Sequence, residues 1–138
     1  MLGRWFEIEG RIVEGAGRGR KVTAPTLNLE AENALLPQQG VYITRTEMDA
    51  GRYADSITNI GTRPTFGGGE QTIETFVLRG IVPDESSGCR LQFLQRIRDE
   101  KRFDSPELLR EQIGRDVHIA TKFFRRLQAS NDARIHSN

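Results

Sequence analysis

Four stretches of this sequence carry residue types whose spacing could support chemistry. From Gly15 the chain reads Gly-Ala-Gly-Arg-Gly-Arg-Lys, with Gly15, Gly17 and Gly19 at alternate positions and the cations Arg18, Arg20 and Lys21 among and behind them. Alternate glycines let the backbone bend and present its N–H groups, and with three cations they could cradle phosphate. A glycine-rich hairpin turn with solvated basic residues would be spelled the same way. The segment is not a P-loop, because the G-x-x-x-x-G-K-[ST] spacing is missing and the chain runs on to Pro25 rather than into a helix. Pro25-Thr26-Leu27-Asn28 follows. In an extended chain Thr26 and Asn28 point the same way, bringing together a hydroxyl and an amide carbonyl, hard oxygen donors of the kind magnesium accepts beside waters and phosphate oxygens. An Asx or ST turn is the alternative there.

The third stretch is Thr72 to Leu78, where Glu74 sits inside an apolar run on the same side as Phe76 and Leu78. A carboxylate in that place is either a strand-edge charge facing water or a general base, able to take the proton from a hydroxyl that attacks phosphorus. The fourth, Arg96-Ile-Arg-Asp-Glu-Lys-Arg-Phe103, is a charged connection that could lay Arg98 and Phe103 over an aromatic ligand, or be a solvated loop. His118 and His136 have no acidic or cysteine partners at ligand spacing, so no zinc site is expected. Cys89 reads as a small buried residue rather than a nucleophile.

These residues need a scaffold, and the periodicity supplies one. Phe6, Ile8, Gly10 and Ile12 alternate with Glu7, Glu9 and Arg11, the two-residue repeat of a half-buried strand. Gly40–Thr46, Tyr53–Ile60, Thr72–Leu78 and Arg90–Ile97 are further short runs rich in β-branched and aromatic residues. Turn residues separate them at Leu36–Gly40, Asp49–Gly51, Gly67–Gly69 and Pro83–Gly88. Strands without intervening helices predict an antiparallel sheet, closed into a small barrel so that no edge is exposed. Then the period changes. Ser105 as N-cap, Pro106 at the first helical position and Glu107 in the first turn open a helix whose apolar face is Leu109, Ile113, Val117, Ala120, Phe124 and Leu127. Residues 129–138 lose that period and are expected to be a disordered tail, leaving 1–128 as one domain.

Composition narrows the partners. Lys+Arg number 20 against 19 Asp+Glu, and aromatic residues make up 7% of the 138, which argues against a nucleic-acid platform and a polybasic membrane surface. No apolar run is long enough to span a bilayer, and the N-terminus has no secretory-signal pattern, so the cytoplasm is the expected compartment. Fourteen glycines are an excess, pointing to turns and to close approach of backbone and ligand.

Taken together, the motifs resemble riboflavin kinase in the form found as the C-terminal module of bacterial bifunctional FAD synthetases. The resemblance runs from Leu2 to Leu127 and rests on segments in the family order: Gly10 to Gly19, Pro25-Thr26-Leu27-Asn28, Leu36-Pro-Gln-Gln-Gly-Val-Tyr42, Asn59-Ile-Gly-Thr-Arg-Pro-Thr-Phe66, the Glu74 strand, Arg98-Asp-Glu-Lys-Arg-Phe103 and Gln112-Ile-Gly-Arg-Asp116. It implies a mainly β fold, a six-stranded antiparallel Greek-key barrel with one long C-terminal α-helix. It also implies transfer of the γ-phosphoryl of ATP to the ribityl 5′-hydroxyl of riboflavin, giving FMN and ADP. Gly15 to Lys21 would cover the nucleotide phosphates, Thr26 and Asn28 would bind Mg2+, Glu74 would be the base, and the isoalloxazine would lie against Arg98 to Phe103. The implied partner is a covalently linked N-terminal adenylyltransferase domain; this chain has no such motif and is expected to make FMN, not FAD. A non-catalytic flavin- or nucleotide-binding barrel, or a regulatory one, is the other reading. Departures from the family pattern at Thr23, Ala24, Leu27, Phe76 and Ser87 bear on ligand affinity, while Thr26, Asn28 and Glu74 keep the chemistry.

Overall fold

The computed structural model describes residues 6–13, 26–31, 35–65, 67–80 and 88–136. Gly15, Gly17, Arg18, Gly19, Arg20 and Lys21, the expected phosphate cradle, lie outside them. The chain divides into two compact units, residues 1–101 and 102–138.

The first unit is built of β1 (Phe6–Val13), β2 (Thr26–Ala31), β3 (Gly40–Glu47), β4 (Tyr53–Thr65), β5 (Gly68–Gly80) and β6 (Gly88–Arg98). All neighbouring pairs are antiparallel and the sheet closes on itself in the order β1-β2-β5-β4-β3-β6. β3, β4 and β5 follow one another as hairpins and β6 returns beside β3, which is the Greek key. The strand runs seen in the sequence are all present but short of their true ends. β4 and β5 each extend to 13 residues, because their pairing continues to Thr65↔Gly68. Of the expected Gly67–Gly69 turn, only Gly67 is a turn residue (φ 88°); Gly68 and Gly69 belong to β5.

Alternation sends one set of side chains into the barrel, and these form three tiers. At one end Ile8, Ile12, Leu29, Tyr42, Ile60, Ile73, Leu91 and Phe93 pack with Cys89. Tyr42 and Phe93 meet edge to face at 5.2 Å, a geometry that adds about 1 kcal/mol to the burial itself. At the other end Met48, Ala54 and Val77 form a smaller cluster. Between them lies a layer of hydroxyls. Thr44 reaches Ser56 (2.8 Å) and Thr58 (2.9 Å), Ser56 reaches Thr46 (3.0 Å), and Thr58 reaches Thr75 (2.9 Å), all five fully buried. Threonine supplies the β-branched shape a strand interior favours, and mutual bonding removes most of the cost of burying its hydroxyl. Gly40 shows why the barrel mouth needs glycine. Its φ is +154°, and a Cβ there would stand 2.7 Å from the Arg96 guanidinium and 2.9 Å from the Arg98 carbonyl oxygen.

The second unit contains α1 (Pro106–His136), 31 residues long. Ser105 caps it as expected, its Oγ accepting from the Leu108 N–H at 3.2 Å. Two expectations need correction. The helix continues through 129–136, which the loss of apolar period had marked as tail; Ala129, Ala133 and Arg134 favour helix without any apolar stripe, and Gln128 Nε2 donates to Asp132 Oδ1 at 3.0 Å one turn on. Leu109, placed on the apolar face, is 43% exposed, whereas the polar Asp116 is buried at 3% and receives a hydrogen bond from Gln112 Nε2 at 3.0 Å.

Candidate functional site

The inward set Ile73, Thr75 and Val77 fills the barrel, so Glu74 on the same strand points outward. It is not an edge charge, because β5 is paired on one side with β2 and on the other with β4. The pairing decides its neighbours. Asn28 of β2 stands directly opposite Glu74, and so, on the other side, does Asn59 of β4. Directly opposed residues on neighbouring strands share a face with Cβ atoms about 4.5–5.5 Å apart. One carboxylate thus lies between two carboxamides. Thr26 faces Phe76, two residues along from the Asn28 pair, which puts the Thr26 hydroxyl on that same outward side. All four side chains are half-buried. Pro25 lies outside the described residues; the extended conformation anticipated for Thr26 to Asn28 is the start of β2, and a strand rather than an Asx or ST turn holds Thr26 and Asn28.

Two further residues join this face without having been singled out in the sequence. The first is Asn59, whose Oδ1 is buried and accepts no hydrogen bond among the described residues. Its signal is an amide in the middle of a β-branched strand, a position from which asparagine is usually depleted. The second is Glu100. Gly61 pairs with Thr72, one outward step beyond Asn59 and Glu74, and a Cβ on Gly61 would lie 2.5 Å from the Glu100 carboxylate and 3.3 Å from Thr72 Oγ1. The connection after β6 therefore folds Glu100 onto the glycine, and the glycine inside a strand was the readable sign of such an approach.

The remaining candidates are distributed as follows. Arg98 ends β6 opposite Val41, which is itself opposite Asn59, and its Nη1 donates to the Asp99 carbonyl at 3.0 Å. Phe103, the other half of the expected aromatic-ligand flap, is half-buried and belongs to the second unit. Arg96 is tied by its Nη2 to the Gln39 carbonyl (2.7 Å) and to Asp99 (2.8 Å). Cys89 is buried and its thiol is pushed up to about 11 by loss of solvent, which keeps it protonated and unreactive at neutral pH. A separate cleft of about 400 Å³ opens at the barrel surface between Glu9, Glu47, Asp49, Cys89 and Arg90, and none of the site candidates lines it.

Among the described residues no three His, Cys, Asp or Glu cluster as a dedicated metal cage. The outward face instead offers the Thr26 hydroxyl, the Asn28 amide oxygen and the carboxylate of Glu74, with the Glu100 carboxylate further along at Gly61. That composition fits Mg2+, which usually takes one or two protein oxygens and leaves the rest of its shell to water and substrate phosphate.

Fold and site define a class: a closed Greek-key barrel whose outer face gathers a candidate base with hydroxyl and amide oxygens, suited to phosphoryl transfer onto a hydroxyl. Residues 2–124 match the Flavokinase model, described as riboflavin kinase, and the chain belongs to that family. It is 34% identical over 124 residues to the bifunctional riboflavin kinase/FMN adenylyltransferase of Escherichia coli, and 31% to that of Haemophilus influenzae, in each case over 90% of this chain and 40% of the relative. The Bacillus subtilis protein of the same description is 30% identical over 132 residues. The chain thus spans about 40% of the length of the curated relatives it matches. Among solved structures, a Streptococcus pneumoniae protein described as a macrolide-efflux protein superposes with a TM-score of 0.77 at 28% identity, over 87% of this chain and 40% of that one. Riboflavin kinase from Trypanosoma brucei superposes at 0.59 and 18% identity over 97% of this chain and 88% of that one, a likeness of fold. Among the described residues no helix is long and apolar enough to cross a membrane.

Proposed function

We propose that this chain transfers the γ-phosphoryl group of ATP to the 5′-hydroxyl of riboflavin, with Glu74 as the general base. The observation that carries the reading, in a chain of this family, is the register Asn28↔Glu74↔Asn59 across three strands. It seats one carboxylate between two carboxamides on the half-buried outer face of the barrel. Phosphoryl transfer asks the protein for little more than positioning, charge neutralisation and one acceptor for the hydroxyl proton. Glu74 takes that proton as the ribityl oxygen attacks. Thr26 and Asn28 would hold a divalent cation, which when bound supplies neutralisation of the phosphate charge. Gly15 to Lys21 would close over the phosphates through backbone N–H groups and the cations Arg18, Arg20 and Lys21, and Arg98 and Phe103 would lie against the isoalloxazine. The reaction belongs in the cytoplasm, where ATP is supplied. An adenylyltransferase domain joined to this chain, as the relatives' description suggests, would consume the FMN formed here.

The test is direct: incubate the protein with riboflavin, ATP and Mg2+ and resolve the flavins chromatographically. FMN is the expected product. No FMN at high protein concentration would sink the reading and favour a barrel that only binds flavin or nucleotide.

A further inference from the structure

We propose that Asn59 selects the acceptor by receiving the hydroxyl next to the one that reacts. The inference rests on the reading above and adds a residue and a substrate feature to it. A buried acceptor without a partner is costly and uncommon in a folded protein. Among the described residues Asn59 Oδ1 is such an atom. Its opposed neighbours cannot satisfy it: Val41 on β3 has no side-chain donor, and Glu74 on β5, when ionised to act as a base, has no hydrogen to give. The backbone N–H groups around it serve the barrel ladders. A donor brought by the ligand meets the need, entering as the side chains that close Oδ1 off from solvent move aside. Glu74 and Asn59 then present two acceptors side by side on one face, matched to two hydroxyls on adjacent carbons of a polyol. With the 5′-hydroxyl of the ribityl chain at Glu74, the 4′-hydroxyl falls to Asn59. Asn59 thereby orients the nucleophile and discriminates polyol chains from simple alcohols.

A substrate–variant cycle tests this with riboflavin and 4′-deoxyriboflavin. The wild-type protein is expected to lose about tenfold in kcat/KM when the 4′-hydroxyl is removed, the usual worth of one hydrogen bond made in the bound state. Asn59→Ala and the near-isosteric Asn59→Leu are expected to lose about tenfold with riboflavin and nothing further with the deoxy analogue. Equal losses by the variants with both substrates would overturn the proposal, because a general structural defect acts on both. The wild-type comparison needs no variant, and its failure to distinguish the two flavins would overturn the proposal even if every Asn59 substitution unfolds. Absence of FMN from the wild-type protein would remove the parent reading and this one with it, whereas normal FMN formation without discrimination removes this one alone.

Discussion

Replacing Thr58 by valine probes the hydroxyl layer on which the barrel interior depends. Thr58 Oγ1 lies 2.9 Å from Thr44 Oγ1 and 2.9 Å from Thr75 Oγ1, with all three residues at 0% exposure. Two hydrogen bonds contribute about 2 kcal/mol net, and the Thr75 hydroxyl, deprived of that partner inside the barrel, costs about 1–2 kcal/mol more. The added methyl returns about 0.8 kcal/mol. Thr58→Val should therefore destabilise by about 2–3 kcal/mol, while Thr44 keeps its bond to Ser56. Thr75→Val alone removes one bond and strands nothing in the layer, since Thr58 still has Thr44, so its cost should stay below about 1 kcal/mol. The informative case is the double substitution. With both hydroxyls gone the stranded group disappears and a second methyl is buried, so Thr58→Val/Thr75→Val should be more stable than Thr58→Val by about 2–3 kcal/mol. Urea unfolding of the four proteins, with melting temperatures moving about 4 °C per kcal/mol for a unit this size, would read the cycle. A double variant no more stable than the single one, or a Thr58→Val protein within 0.5 kcal/mol of wild type, would refute the idea that the layer acts as a connected network.

Three other outcomes follow from single sites. Gly40→Ala should cost about 2 kcal/mol or more by urea unfolding, because its φ of +154° and the fixed Arg98 carbonyl 2.9 Å from the new Cβ leave no relaxed alternative. The Cys89 thiol, pushed up to about 11 by burial, lies above its unfolded value, so its contribution to stability is complete below the ordinary thiol range and should fall as pH rises from about 9 through 11; iodoacetamide at pH 7.5 should label it in urea but not in the native protein. Thr26→Ala and Asn28→Ala should each raise the Mg2+ concentration needed for half-maximal FMN formation by about tenfold while leaving riboflavin binding, followed by flavin fluorescence, unchanged.

The alternating pattern of Phe6–Ile12 and its counterparts made the barrel legible, and it also told which side of β5 carries Glu74. It could not tell what stands beside Glu74. Asn28 and Glu74 come together because β2 inserts next to β5 rather than next to β3, a choice of topology made by the closure of the whole sheet and not by local periodicity. Asn59 was visible only as part of a longer motif, since its significance comes from being opposite Glu74 and from an Oδ1 with no partner among the described residues. Glu100 was hidden among charged neighbours, and Gly61 is what reveals it. The helix start was spelled by Ser105 and Pro106, but its end was not, because residues 129–136 are helical without an apolar face to announce it. Thr44, Thr46, Ser56, Thr58 and Thr75 read as strand formers, and only their common tier makes them an interior network.

The central claim is that Glu74 accepts the proton of the attacking hydroxyl, and Glu74→Gln tests it most directly because the amide keeps the shape and loses the basicity. Riboflavin affinity, read by fluorescence, and kcat for FMN formation should be measured on the same protein. Binding within about twofold of wild type with turnover lowered at least 100-fold is the expected result, in keeping with the usual contribution of a general base. Turnover above a few per cent of wild type, with binding intact, would show that the proton goes elsewhere.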